Sequence, residues 1–311
     1  MQTKAVTAER TMYYGKKDVF VYRTYASPLQ VQPIPESSFT GRSNTIMAMD
    51  IQAALKGKAF LSSFKDGDNS LVIATDSMKN FILHQAGEFT GSTMDDLLQY
   101  TAVKFLETYD HIQGVEMSGT QLPFKESGED GAAETVYREH ACEKPYAAVE
   151  AVRREDGTIV LEEHVSGVTS LHLIKVKGSS FAGFIRDEYT TLPETTDRPL
   201  FIYLDIFWRY SNKNHMRENY AAAEQIQHIA ESVFRELDSP SIQKLIFDIG
   251  CRILKRFPQL AEVSFESNNR TWETIREEIP GSKEGKVFTE PRPPYGFQGF
   301  TVFREDMEEE I

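Results

Sequence analysis

Apolar residues along the chain recur in two rhythms, a period of two and a period of three to four, and the order of these rhythms is repeated once. Strand-like alternation runs from Val19 to Tyr25 and from Thr45 to Ala54. A compact apolar run, Leu71 to Ala74, reads as a buried strand. It meets Thr75-Asp76-Ser77 at once, with Thr75 in the N-cap position of a helix expected over Ser77–Gln85. A longer helix is predicted over Ser92–Ile112, where Leu98, Ala102, Phe105, Tyr109 and Ile112 share one stripe. Strands are expected near Gly114–Leu122 and Thr135–Val152. The polar stretch Lys125–Ala133, rich in Gly, Glu and Asp, is expected to loop.

The second half repeats this order. Strands are expected near Thr158–Val165, His172–Val176 and Leu200–Tyr210. Ala222, Ile226, Ile229, Val233 and Leu237 mark an amphipathic helix. Ser239-Pro240-Ser241 breaks it and caps another, striped by Ile242, Leu245, Ile249, Ile253 and Phe257; a strand over Glu262–Phe265 follows. Each half therefore reads as an antiparallel sheet with two helices on one face, the α+β class, with domains over residues 9–150 and 151–305. The halves share an order of elements and no clear residue-level repeat.

Composition narrows the function. The formal charge of −13 leaves no basic face for nucleic acid. It also repels anions at long range, so an anionic substrate has to be captured by cations local to its pocket. No apolar run reaches the length of a membrane span and no charged-then-apolar leader is visible, so no membrane partner is expected. Cys142 and Cys251 suit neither a disulfide framework nor a zinc site, which points to a cytoplasmic location. The final Glu-Glu-Glu-Ile lacks a Ser-Lys-Leu peroxisomal address. The histidines form no HxH, HxxxH or HExxH pair, so no metal is expected, and no GxGxxG or Walker loop is visible.

Several residues could carry chemistry. A helix starting at Thr75 offers unpaired N–H groups to an anion or an electron-rich ring edge. Lys16, in Tyr14-Gly15-Lys16-Lys17, is a solvated surface cation or, where burial makes its charge costly, a base. Arg198 is either an ion-pair partner of Asp187, Glu188 or Asp197, or a fork of donors for a planar two-acceptor edge. Gln243 offers a donor beside an acceptor, unless it is merely a solvated first-turn residue. Phe181 is a core aromatic or a stacking face. As a set they could clamp and stack on a flat ring that carries hydrogen-bonding groups around its rim.

Four separated segments, in order, resemble the urate oxidases (uricases). They are GDNSLVIATDSMKN at Gly67–Asn80 with Tyr14-Gly15-Lys16 upstream, LHLIKVKGSSFAGFIRDEYTTLPETTDR at Leu171–Arg198, Ser241-Ile242-Gln243, and TEPRPPYGFQGFTV, which is similar to bacterial members. The resemblance spans Met12 to Phe303. It implies two tandem tunnelling-fold (T-fold) domains and a homotetramer around a central channel. The implied reaction is cofactor-free oxidation of urate by O2 and water to 5-hydroxyisourate and hydrogen peroxide. Lys16 and Thr75 would pair to move protons. Thr75 and Asp76 would come from one subunit, and Phe181, Arg198, Ile242 and Gln243 from its neighbour, Asp76 and Ile242 mainly through backbone. Asn268 would lie at the oxygen site, with Asn269 as the alternative in a slipped register.

Two residues depart from the family pattern. Lys177 stands where Ser or Thr is usual, and Arg270 where a histidine supports the relay. Arginine is a permanent cation and a poor proton acceptor, so Arg270 is expected to bias the protonation of Lys16 by repulsion, or to help hold the anion. Two other readings stand beside this one: a pterin-acting T-fold enzyme and a non-catalytic purine-binding T-fold protein.

Overall fold

The computed structural model describes residues 10–127, 135–140, 142–270, 272–290 and 292–310. Beyond Ser127, the expected loop at Lys125–Ala133 lies outside the described residues. Eight long strands carry the architecture: β1 (Tyr13–Thr24), β2 (Ile46–Lys56), β3 (Gly114–Gln121), β4 (Lys144–Arg153), β5 (Ile159–Lys175), β6 (Leu200–Tyr210), β7 (Leu260–Arg270) and β8 (Gly296–Phe303). The long helices are α1 (Thr75–Glu88), α2 (Met94–Thr108), α3 (Ala223–Glu236) and α4 (Ile242–Arg256). Two compact units interleave in sequence. Unit 1 takes the described residues of Met1–Ser27, Ser43–Gln121 and Ala147–His164, and unit 2 those of Pro28–Arg42, Leu122–Tyr146 and Val165–Ile311.

In unit 1 the strand order is β1-β2-β3-β4, with β1–β2 and β2–β3 antiparallel. Alternation decides the faces. Val19 and Val21 are 3% exposed, whereas Phe20 and Tyr22 between and after them are 51% and 61% exposed. Met47, Met49, Ile51, Ala53 and Leu55 of β2 point to the same core, which α1 fills with Met78 and Ile82 and α2 with Leu98, Ala102 and Phe105. Thr93 opens α2 by accepting the Asp96 N–H on Oγ1.

In unit 2 the order is β5-β6-β7-β8. Leu200, Ile202, Leu204, Ile206 and Trp208 alternate inward from β6 against the apolar stripes of α3 and α4. Ser241 caps α4 by accepting the Lys244 N–H at 3.1 Å. Gly250 lets α4 lie close on β8, since a Cβ there would stand 2.5 Å from Val302 Cγ2.

Four sequence expectations need correction. Leu71–Ala74 is turn and coil, not a strand, and Leu71 is exposed. Three of its polar backbone groups find partners outside any ladder: Val72 N–H donates to the Asn69 carbonyl, and the Leu71 carbonyl and Ile73 N–H are taken by the side chains of His111 and Tyr14. Thr75 is the first helical residue rather than the N-cap; that position belongs to Ala74, which has no capping side chain. Thr135–Val152 is not one strand but Tyr137–Glu139 and β4. Conversely, the strands expected over Thr158–Val165 and His172–Val176 merge into the single strand β5, which begins at Ile159 and ends at Lys175. The polar gap between them is an irregularity where Ser170 takes φ 61° and its N–H donates to Asp205 Oδ1.

Candidate active site

Unit 1 brings Lys16, Thr75 and Asp76 to one end of its sheet. Lys16 lies on β1 opposite Ala53, at the edge of a register shift that ends at Val19 and in which Asp18 takes φ 57°. Gly15 precedes it because a Cβ there would lie 1.9 Å from the Ala53 carbonyl oxygen. The start of α1 is tied to β1 by Tyr14, whose hydroxyl accepts the Ile73 N–H at 2.8 Å. Burial raises the Tyr14 phenol above the ordinary tyrosine value, and the Ile73 bond opposes that shift.

With Ala74 as N-cap, no side chain takes the first N–H groups of α1, so those of Thr75 and Asp76 face outward as donors. The Thr75 hydroxyl makes no hydrogen bond among the described residues, and it is exposed. Asp76 holds Lys79 at 2.6 Å and Asn80 at 3.2 Å with its two carboxylate oxygens. The Lys79 bond is the main cause of its lowered pKa, and the charge of Lys16 adds to it. Lys16 is thus electrostatically within reach of the α1 start, although no direct Lys16–Thr75 hydrogen bond is formed.

Unit 2 gathers Phe181, Arg198, Ile242 and Gln243. The loop after β5 is stitched to the start of α4: Ser180 N–H donates to the Ser239 carbonyl, Ser239 N–H to the Gly178 carbonyl, and Ser239 Oγ to the Ser241 carbonyl. The returning strand pairs Phe181 with Thr195 and donates the Arg198 N–H to the Ser179 carbonyl. Arg198 therefore arrives beside the N-terminus of α4. Its guanidinium lies 5.5 Å from the Phe181 ring centroid, and its buried Nε has no hydrogen-bond partner among the described residues. Burial alone pulls its pKa below the ordinary arginine value.

Two of the three acidic neighbours of Arg198 in sequence are engaged elsewhere. Asp197 accepts the Gly178 N–H, and Asp187 accepts from Tyr189 N–H and the Thr190 hydroxyl. Gln243 is exposed, with no partner among the described residues. Ile242 is 6% exposed and belongs to the core, so what it can offer a ligand is backbone. Phe184, which sequence reasoning missed, stacks on Phe181 at 4.9 Å.

Asn268 and Arg270 lie on β7, which runs five residues beyond the expected strand. Strand alternation puts them on the same face as Tyr203, Asn268 being directly opposite it. Asn269 points the other way and accepts from Gln298 Nε2 at 3.1 Å. Tyr203 and His172, also missed, pack edge-to-face at 3.9 Å. His172 is held below the ordinary histidine value by burial first and by the Arg270 charge second. Among the described residues no three His, Cys, Asp or Glu side chains form a group that could hold a metal ion.

A family model for uricases matches residues 12–150 and 164–298. The chain belongs to the uricase family. It is 53% identical over 97% of its length to the uric acid degradation bifunctional protein PucL of Bacillus subtilis, of which it spans 63%. It is 48% identical to the uricase of Haloferax volcanii, covering 96% of this chain and all of that one. The crystal structure of urate oxidase from Bacillus sp. TB-90 superposes with a TM-score of 0.92 at 52% identity, covering 94% of this chain and 100% of that one. The α+β units are thus the T-fold of the uricases.

Proposed function

We propose that this uricase-family chain oxidises urate with O2 and water to 5-hydroxyisourate and hydrogen peroxide, using no cofactor. The observation that carries the reading is Arg198, a half-buried guanidinium with no carboxylate partner among the described residues, on a segment bonded through Ser179 and Ser180 to the stretch that opens α4, where Gln243 is exposed. A cation in that setting is stabilised by an anion that supplies a planar edge of acceptors, which urate does. Phe181 and Phe184 give the site an aromatic wall. The local cation also answers the repulsion expected from a net charge of −13.

Lys16 and Thr75 supply the proton relay, and the N–H groups of Thr75 and Asp76 add donors to the substrate rim. The working assembly is a homotetramer in which Thr75 and Asp76 of one chain complete the pocket holding Phe181, Arg198, Ile242 and Gln243 of its neighbour. Asn268 faces the dioxygen. A cytoplasmic setting fits the chemistry, and no helix among the described residues is long and apolar enough to cross a membrane. Electrostatic holding of the electron-rich anion is the protein's main contribution, because the conjugated ring itself supplies the electrons.

The test is loss of the urate ultraviolet band in metal-free buffer with simultaneous readings of oxygen uptake and peroxide. Equal amounts of urate lost, oxygen consumed and peroxide formed support the reading. Urate binding without turnover would instead make the chain a purine-binding T-fold protein, and turnover of reduced pterins alone would make it a pterin enzyme.

A further inference from the structure

Arg270 is a cation with no ion pair among the described residues, yet it is firmly held. Its guanidinium carbon lies 4.0 Å from the Tyr203 ring centroid and 4.4 Å from that of Tyr295. Both rings present their negative faces to it. Its Nε approaches Asn268 Oδ1 at 3.4 Å. Arginine has donors only, so this contact fixes the carboxamide's orientation: the carbonyl oxygen turns to the guanidinium and the NH2 turns away from it. The reach of the charge is visible at His172, which Arg270 helps to keep neutral.

We propose that Arg270 is a positioning residue for the oxygen half of the reaction, locking Asn268 with its NH2 toward dioxygen while holding a fixed positive charge beside it. This rests on the urate oxidase reading above. Neutral O2 is a weak hydrogen-bond acceptor, whereas the anion formed when it takes an electron from the urate anion is a strong one. A preoriented donor and a nearby cation therefore stabilise the reduced state more than the ground state. Over the whole reaction urate loses two electrons and O2 gains two electrons and two protons to leave as hydrogen peroxide. Water supplies the oxygen added to the ring. Arg270 neither gains nor loses a proton in any step, unlike a histidine at that position.

The experiment uses the full-length assembled protein and three variants, Arg270→Gln, Arg270→Lys and Arg270→His. Steady-state rates are measured at varied O2 and at varied urate, and urate affinity is measured separately under anaerobic conditions. Arg270→Gln should lower kcat/KM for O2 by about tenfold to a hundredfold, with anaerobic urate affinity changed by less than about twofold. Arg270→Lys, which keeps the charge, should recover part of the loss. Arg270→His should make the O2 rate fall as pH rises through the histidine range. His172, Glu143, Asp205 and Glu266 are the other ionisable side chains around this face, so the wild-type profile is the reference.

Equal losses in urate affinity and in the O2 rate would overturn the proposal and leave Arg270 a packing residue, as would unchanged O2 kinetics. Circular dichroism checks the fold of each variant. If the Gln variant fails to fold, the Lys and His variants decide: a Lys variant no better than His at high pH contradicts a role for charge. Absence of urate turnover in the unmodified protein is a different result and refutes the underlying activity instead.

Discussion

Replacing Tyr14 by phenylalanine isolates the bond that ties the start of α1 to β1. The substitution keeps the ring, which meets Phe60 edge-on at 4.8 Å and 89°, and removes only the hydroxyl. That hydroxyl is the acceptor for the Ile73 N–H at 2.8 Å, and Ile73 is 8% exposed. A typical hydrogen bond is worth about 1 kcal/mol net, rising to about 3 when the abandoned donor stays away from water. For a domain of this size each kcal/mol moves the thermal midpoint by roughly 2–4 °C. Turnover should suffer more than stability. Ile73 stands two residues before Thr75, and misplacing a reacting group by about 1 Å can cost on the order of a hundredfold in rate. Thermal unfolding by circular dichroism and steady-state urate oxidation are measured on the same preparation. A variant with wild-type midpoint and wild-type turnover would refute the claim that Tyr14 positions the helix start.

Three further outcomes follow from the same geometry. Arg198→Lys should weaken urate binding by about 1–3 kcal/mol although the charge is kept, because an ammonium cannot reproduce the fork; a near-native KM and turnover would contradict this. Lys16→Met and Thr75→Ala should be strongly non-additive in turnover, since either change already disables a shared relay, and additive losses in the double variant would sink that pairing. Glu36 offers a stability test in unit 2. Its side chain is 5% exposed and is held by Arg256 at 2.8 Å and Arg252 at 3.3 Å. Burial alone would raise its pKa, but the bonds and charges of the two arginines outweigh burial and hold it below the ordinary carboxylate value. The stability it contributes is therefore present above the unfolded-state pKa and lost as pH falls through the folded one. Arg256→Ala should cost about 3 kcal/mol and move the acid-unfolding limb to higher pH. Coincident acid limbs for the two proteins would contradict that assignment.

Much of the fold was legible because burial and periodicity coincide. On β6 every second residue from Leu200 to Trp208 is buried, and α4 carries its stripe from a Ser cap, so pattern and position agree. Leu71–Ala74 misled because an apolar run of that length is ambiguous, and the deciding partners, Tyr14 and His111, lie far away in sequence. The bulge at Ser170 split one strand into two for a related reason: its polar residues satisfy a kink rather than a turn. The interleaving of the two units is invisible to any local pattern, because it depends on which core Pro28–Arg42 and Leu122–Tyr146 join.

At the site, residue type pointed to Arg198 and Gln243, but only the coordinates show that Asp187 and Asp197 are engaged elsewhere. Which face Asn268 and Asn269 each take turns on strand parity. The strand end expected at Phe265 concealed that parity, and the observed β7 reveals it. The aromatic seat of Arg270 uses Tyr203 and Tyr295 from two other stretches of chain, which spacing could not pair with it.

The proposed assembly has Thr75 and Arg198, which lie in separate units, serving one urate pocket built from neighbouring chains. Subunit complementation tests it most directly. Thr75→Ala and Arg198→Ala chains, each inactive alone, are dissociated, mixed in equal amounts and reassembled, and urate loss is followed with peroxide release. Random reassembly should leave about a quarter of the pockets with both residues intact, and turnover should return to about that fraction of wild type. Mixed assemblies, verified by mass, that show no turnover would contradict the shared pocket and place both residues of each site on one chain.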